Sequence, residues 1–195
     1  MRFAIVAGLL GAWFLTQKLL GDRGLPEGGI GDKIHIWMTP LHRYLTANKG
    51  AARLLLITSS LGIDALGCYV LYQGIYGPSV RPLLGVGVLM MLRQLSQYLT
   101  ALPAPEGMIW FHPGVPSFLV TYGVTNDLFF SGHTALAVYG ALTCMATGTP
   151  FIAAVGLAVG IYEVIAVLAL RAHWTMDVYA GLVTAVLCFF AFNSW

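Results

Sequence analysis

Two histidines and an aspartate are the residues whose types and spacing suit catalysis. His133 lies in Ser131-Gly132-His133-Thr134, and His173 lies four residues before Asp177. Residues four apart on a helix share one face and lie about 6 Å apart along its axis. We therefore expect the Asp177 carboxylate to accept a hydrogen bond from one ring nitrogen of His173, as in a catalytic triad. That bond would leave the other nitrogen as a nucleophile suited to phosphorus.

The first motif has the composition of a helix start that binds an anion. Ser131 can cap the helix, and Gly132 allows a ligand to approach the backbone closely. Free N–H groups and the helix dipole favour a negatively charged group at such a position. His133 could then act as a general acid and protonate a leaving oxygen.

Other interpretations of these three residues remain open. A lone histidine near the end of a membrane helix can simply reach the interface, and Asp177 could be a structural hydrogen-bond acceptor. His133, His173 and Asp177 could also bind a metal by ligand type, but no further carboxylate cluster surrounds them in the sequence. Because ionisable groups are costly at membrane depth, the functional interpretation is favoured. We expect neither a metal nor a cofactor.

The composition is that of an integral membrane protein. Of the 195 residues, 58% are hydrophobic and 9% are charged, whereas about 25% are charged in a soluble domain. We expect one transmembrane domain over residues 1–195 and a multi-pass topology. The net charge of +2 with no basic run gives no indication of nucleic-acid binding. The cysteines, Cys68, Cys144 and Cys188, lie in apolar segments and are expected to be buried thiols.

The elements that must position the motifs are predicted to be six transmembrane helices in an all-α bundle. Each needs about 20 mostly apolar residues. The segments that qualify are 3–20, 52–76, 82–101, 129–147, 150–170 and 174–194. Arg2 before the first of them could mark a signal peptide, but without a clear cleavage site we expect a span. Six spans place loops 21–51, 102–128 and 171–173 on one side, next to both motifs.

The two longer loops, 21–51 and 102–128, have features that suit the membrane interface. Residues 34–45 resemble a helix lying in the membrane interface, with Pro40 as a weak point. Its apolar face is expected to contain Ile34, Trp37, Met38, Leu41 and Leu45. Loop 102–128 is rich in proline, glycine and aromatic residues that suit the headgroup region. We expect it to cover the site.

Three stretches in matching order carry a family resemblance over roughly residues 90–190. They are Asp127-Leu-Phe-Phe-Ser-Gly-His-Thr134, His173-Trp-Thr-Met-Asp-Val178, and the run from Arg93 to Thr100-Ala-Leu-Pro-Ala-Pro105. Together they resemble the type 2 phosphatidic acid phosphatase superfamily. Within it they resemble the sphingomyelin synthase branch, which includes phosphatidylcholine:diacylglycerol cholinephosphotransferases.

The resemblance implies a six-helix bundle and a His-His-Asp triad that needs no metal or nucleotide. His173 would attack phosphorus, Asp177 would orient it, and His133 would assist the leaving and accepting alcohols. Ser131, Gly132, Asp127 and Arg93 would contact substrate. The partners would be membrane lipids: a glycerophospholipid that donates a phosphocholine- or phosphoethanolamine-type group, and a lipid alcohol such as diacylglycerol or ceramide.

One departure from the superfamily bears on the reaction. Its phosphatases carry Lys, six residues, then Arg-Pro before the Ser-Gly-His motif. Here the only Arg-Pro is Arg81-Pro82, and no Lys stands seven positions earlier. This favours a transferase, with a lipid phosphate phosphatase and a non-catalytic lipid-binding relative as the alternatives.

Two further questions stay open at the level of sequence. Arg93 could pair with phosphate, or with Asp64 or Glu163 inside the membrane. The basic residues of loops 21–51 and 171–173 favour a cytoplasmic catalytic face by the positive-inside rule. The family resemblance implies a lumenal or external face instead.

Overall fold

The computed structural model describes residues 1–21, 31–122 and 128–193, and within these ranges all regular structure is α-helical. The prediction of an all-α protein is confirmed for this part of the chain. In chain order the helices are α1 Arg2–Gly21, α2 Lys33–Trp37, α3 Thr39–Ala47, α4 Lys49–Tyr76, α5 Arg81–Leu99, α6 Gly132–Thr147, α7 Pro150–Ala169 and α8 Thr175–Asn193.

Each of the six predicted spans coincides with one long helix: α1, α4, α5, α6, α7 or α8. Among the described residues, Lys49–Tyr76, Pro150–Ala169 and Thr175–Phe192 are long and apolar enough to cross a membrane. Large apolar side chains point outward from two of them, with Phe151 76% exposed and Leu187 64% exposed. Surfaces of this kind require a nonaqueous environment, so the chain is a membrane protein.

Helix α6 lies at the centre of the bundle and packs against α4, α5, α7 and α8. Its contact with α7 depends on small residues. A Cβ atom at Gly156 would lie 2.6 Å from Cys144 Cβ, and one at Gly160 would lie 3.1 Å from Ala141 Cβ. Small residues four apart let membrane helices approach closely. Because α6 begins at Gly132, this packing fixes the position of the Ser-Gly-His motif.

The predicted interfacial helix is two short helices, α2 and α3, joined at Met38. Pro40 stands in the first turn of α3, where its missing N–H costs nothing. The break changes which residues share a face: Leu45 is buried, but Trp37 is 71% exposed. His35 and His42 are buried instead, on the side that faces the bundle. His42 binds the Ala169 carbonyl at the end of α7, and His35 binds the His173 carbonyl just after it.

The three connections that were predicted to share one side of the membrane do meet at one end of the bundle. The Trp174 indole donates to the Pro103 carbonyl at 2.8 Å, and Arg171 donates to the Glu106 carbonyl at 2.9 Å. His35 in turn reaches the His173 carbonyl at 2.9 Å. Residues 102–122, called the cover below, therefore lie against the connection between α7 and α8.

Candidate active site

The His173 side chain is held by a backbone carbonyl. It lies two residues before α8 begins, is 6% exposed, and its Nδ1 atom is 3.1 Å from the Leu128 oxygen. A carbonyl oxygen can only accept, so Nδ1 must carry the hydrogen. In the neutral ring this leaves the lone pair on Nε2, which is the tautomer that a nucleophile needs.

The Asp177 carboxylate lies beside His173 but does not take the predicted hydrogen bond. Its Oδ2 atom is 3.7 Å from His173 Nδ1 and accepts from the Trp174 N–H at 2.9 Å. The prediction assumed that both residues share one helix, whereas α8 starts at Thr175. Asp177 consequently closes the first turn of α8 in the manner of a capping box. It contributes a buried negative charge next to the ring.

The His133 side chain faces the same space from the start of α6. Ser131 caps this helix, accepting from the Thr134 N–H at 3.2 Å, which confirms the predicted cap. The His133 and His173 ring centroids are 6.3 Å apart, and the edge-on Trp110 ring centroid is 5.1 Å from His133. Within the part of the chain that the structure describes, His133 Nε2 is shielded and has no hydrogen-bond partner.

Arg93 belongs to α5, and its side chain reaches the start of α6, close to His133. It donates to the Phe130 carbonyl at 3.1 Å and to the Gln17 side-chain oxygen at 2.9 Å. A Cβ atom at Gly132 would lie 2.7 Å from Arg93 Nε. Gly132 therefore admits the guanidinium group, whereas the sequence had suggested that it admits a ligand to the backbone.

The remaining acidic residues that the sequence analysis considered do not bind Arg93 in the contacts that the structure gives for them. Asp127 lies outside the described residues. Asp64 accepts three hydrogen bonds, each 3.0 Å long, from the Ser117 hydroxyl and from the N–H groups of Phe118 and Leu119. Glu163 accepts from the Ser59 hydroxyl at 2.7 Å. The two acidic residues considered as partners for Arg93 thus serve other groups, and Asp64 fastens the cover to α4.

Two residues that the sequence analysis did not single out hold the catalytic segment. His35 Nε2 donates to the His173 carbonyl, and its ring stacks on Trp174 at 5.5 Å between centroids. Asp32 caps α2 and also accepts from the Thr175 hydroxyl at 2.7 Å and the Thr175 N–H at 2.6 Å. Asp32 is a residue type that commonly caps a helix, but nothing in the sequence connects it to His173.

Two further hydrogen bonds join α3 to the turn between α7 and α8. His42 Nδ1 donates to the Ala169 carbonyl at 3.0 Å, and Arg171 donates to the Thr39 hydroxyl at 3.3 Å. Arg171 adopts a positive φ of 53°, a conformation that is uncommon outside glycine. Helices α2 and α3 therefore hold the turn before His173 through three hydrogen bonds.

The pKa values of the holding residues follow from their surroundings. Burial lowers the pKa of His35 below its ordinary value, although Asp32 and the His173 carbonyl act in the opposite direction. Burial acts to raise the pKa of Asp32, but the Thr175 and His35 hydrogen bonds outweigh it and the pKa is lowered. His35 is consequently held neutral and Asp32 ionised near neutral pH.

Among residues 1–21, 31–122 and 128–193, no three His, Cys, Asp or Glu side chains are grouped as metal ligands would be. No curated protein and no solved structure matches the chain significantly. A family model described as AtPDCT1/2 matches residues 32–193, which include α2, the cover, both histidine motifs and α8. With so much of its length matched, the chain belongs to the AtPDCT1/2 family of phosphatidylcholine:diacylglycerol cholinephosphotransferase-like lipid enzymes.

Proposed function

We propose that this protein is a six-span integral membrane phosphotransferase for lipid headgroups. It takes a phosphocholine- or phosphoethanolamine-type group from a glycerophospholipid and passes it to diacylglycerol or ceramide through a phosphohistidine on His173. Family membership supports the lipid substrate class. The observation that carries the mechanism is the bond from His173 Nδ1 to the Leu128 carbonyl, since it leaves Nε2 as the nucleophile.

The first half-reaction cleaves the bond between phosphorus and the glycerol oxygen of the donor. His173 Nε2 attacks phosphorus as this bond breaks, and the departing oxygen takes a proton from His133. Asp177, at 3.7 Å, stabilises the positive charge that develops on the His173 ring. The two ring centroids are 6.3 Å apart, so both histidines can reach one phosphoryl group.

The second half-reaction reverses these roles. His133, now neutral, takes the proton from the hydroxyl of the acceptor lipid, whose oxygen attacks phosphorus. The phosphorus–nitrogen bond breaks, and His173 returns to its starting state. The Trp110 ring against His133 and the rest of the cover support the proposal by limiting the access of water. A phosphohistidine must outlive the exchange of one lipid for another.

The test is a transfer assay with purified protein in lipid vesicles. Headgroup-labelled phosphatidylcholine is supplied with diacylglycerol or ceramide, and labelled lipid is measured against water-soluble phosphocholine. We expect labelled lipid to dominate, and donor alone to give a stoichiometric burst with an acid-labile adduct on the protein. Mainly water-soluble phosphocholine would show that water is the acceptor, as in the phosphatase alternative, and would contradict a transferase. No product from phosphatidylcholine, or from phosphatidylethanolamine labelled in the same way, would favour a lipid-binding relative.

A further inference from the structure

Two adjoining cavities lie between α1 and the rest of the bundle. The larger one has a volume of about 240 Å³, is partly open to its surroundings and is almost wholly apolar. The smaller one has a volume of about 30 Å³ and is lined by Gln17, Arg93 and His133 among others. Trp13 and Met90 belong to the walls of both. The small cavity therefore adjoins the larger one and lies nearer to the catalytic end of the bundle.

Three residues that line the small cavity each have a buried polar atom without a partner. Within the described residues, these are Trp13 Nε1, Gln17 Nε2 and His133 Nε2. Gln17 is only 3% exposed, and its oxygen is occupied by Arg93 at 2.9 Å and by Gln94 at 3.4 Å. Its amide NH₂ must then face away from them. A buried N–H donor costs stability unless something accepts its hydrogen bond.

The donors around this cavity fit an anionic oxygen. The Trp13 indole and the Gln17 amide can only donate through these atoms, and Arg93 adds a fixed positive charge beside them. A phosphodiester oxygen satisfies such a set better than a neutral group does. The same space borders His133, which protonates the departing oxygen in the proposed mechanism.

The larger cavity fits a hydrocarbon chain. The side chains that line it from α1, α4 and α5 include Val6, Leu9, Val70, Leu83 and Val86. From Met90 to Leu83 the wall extends about 10 Å along α5, away from the catalytic end. A molecule that joins an anion to an apolar chain matches both cavities, and a phospholipid has this structure whereas diacylglycerol does not.

We propose that this pair of cavities is the binding site of the phospholipid donor. One acyl chain lies in the larger cavity, and Trp13, Gln17 and Arg93 bind a phosphate oxygen in the smaller one. This assignment rests on the proposed function, and it makes α1 part of the substrate site. Acyl-chain selectivity is then set by α1, α4 and α5.

The first experiment fills the larger cavity. Val86→Phe places a ring in it, whereas Val88→Phe makes the same change two residues away on the exposed side of α5. We expect Val86→Phe to lower kcat/KM for long-chain phosphatidylcholine by about tenfold or more, equivalent to about 1.4 kcal/mol, and to spare a short-chain donor. Val88→Phe should leave kcat/KM unchanged for both the long-chain and the short-chain donor. Equal effects of both substitutions on both donors would overturn the assignment.

The second experiment changes the small cavity. In Gln17→Glu the carboxylate neutralises Arg93 and repels phosphate, so the KM for the donor should rise about tenfold while the KM for the acceptor stays unchanged. Gln73→Glu, on α4 and away from both cavities, is the matched control. An unchanged donor KM in Gln17→Glu would mean that the cavity holds only water, which contradicts the assignment.

The third experiment does not depend on turnover or on a cavity substitution. His173→Ala protein is irradiated with phosphatidylcholine that carries a photoreactive group in one acyl chain. Adducts should lie in α1 and on the inner face of α5, and unlabelled phosphatidylcholine should suppress them. Adducts confined to the Val88 side, or suppression by inorganic phosphate alone, would overturn the joint lipid site. If adducts form as expected but no transfer occurs in the wild type, the proposed function fails and the site stands.

Discussion

At the scale of single residues, backbone carbonyls orient both the nucleophile and the segment that carries it. Leu128 accepts from the His173 ring, and the His173 carbonyl accepts from His35. Asp177 is left to act by charge at 3.7 Å and to close the first turn of α8. Orientation and charge stabilisation therefore come from different groups, and single substitutions can separate them.

His173→Ala is expected to abolish transfer, because the proposed mechanism forms its phosphohistidine on His173. Asp177→Asn keeps a side-chain oxygen for the Trp174 N–H but removes the charge. The rate should fall by about 10³–10⁴-fold, as when the aspartate of a triad is made neutral, with the thermal midpoint of unfolding little changed. Single-turnover assays on purified variants measure this. Near-normal turnover in His173→Ala would exclude the proposed mechanism.

His35→Ala is expected to lower kcat by about tenfold while the KM for the donor stays the same, since only the placement of His173 is disturbed. His35→Gln should recover most of the loss, because its amide nitrogen can reach the His173 carbonyl. His112→Ala, an exposed histidine in the cover, is the control. A change in KM with kcat preserved would show that His35 serves binding rather than positioning.

At the scale of elements, helices α2 and α3 form a bracket around the turn that precedes His173. His35, His42 and Thr39 bind this turn from one side, and Asp32 binds the start of α8. The bracket presents the exposed apolar side chains of Ile36, Trp37 and Tyr44 on its other side. A helix pair of this kind suits the membrane interface.

Protonation of His35 is expected to destabilise the protein as pH falls. Its pKa in the folded state is lowered, so the unfolded chain binds more protons once the pH drops through the ordinary value of 6.5. Asp32, Arg171 and His42 are the titratable groups that act on it. The thermal midpoint, measured from about pH 8 to about pH 5, should fall less steeply in His35→Gln than in wild type. Parallel curves would refute this account.

The cover depends on its attachment to Asp64, which binds Ser117, Phe118 and Leu119. Asp64→Ala is expected to loosen it and to raise the ratio of phosphocholine release to headgroup transfer several-fold, because water reaches the phosphohistidine. Asp64→Asn keeps one acceptor oxygen, so its ratio of release to transfer should lie between those of the wild type and Asp64→Ala. Release and transfer are measured in the same vesicles. An unchanged ratio in Asp64→Ala would mean that water is excluded by other groups.

At the scale of the whole molecule, the six long helices place the cover, the bracket and both motifs at one end of the bundle. The prediction is a topology in which residues near 47 and 104 face one side of the membrane and residue 79 faces the other. In a variant whose Cys68, Cys144 and Cys188 are replaced by serine, single cysteines introduced as Ala47→Cys, Ala104→Cys and Ser79→Cys should label accordingly with an impermeant reagent in sealed vesicles. Labelling of all three from one side would contradict the six-span arrangement.

The sequence by itself determined the class of the protein and the position of its helices. Apolar length and helix starts are local properties, so each of the six predicted spans coincides with a helix, and the Ser131 cap was identified correctly. The two histidine motifs follow from residue type and order. Their placement at one end follows from counting helices, because each span reverses the side on which the next loop lies.

Only the tertiary structure decided which groups hold and surround those motifs. His35 and His173 are 138 residues apart, and Arg93 meets Gln17 across 76 residues. No local pattern encodes such pairs, since they depend on how α1 and the bracket pack against the rest of the bundle. The predicted His173–Asp177 hydrogen bond was wrong for the same reason: α8 begins after His173, and a carbonyl from another segment is closer to the ring.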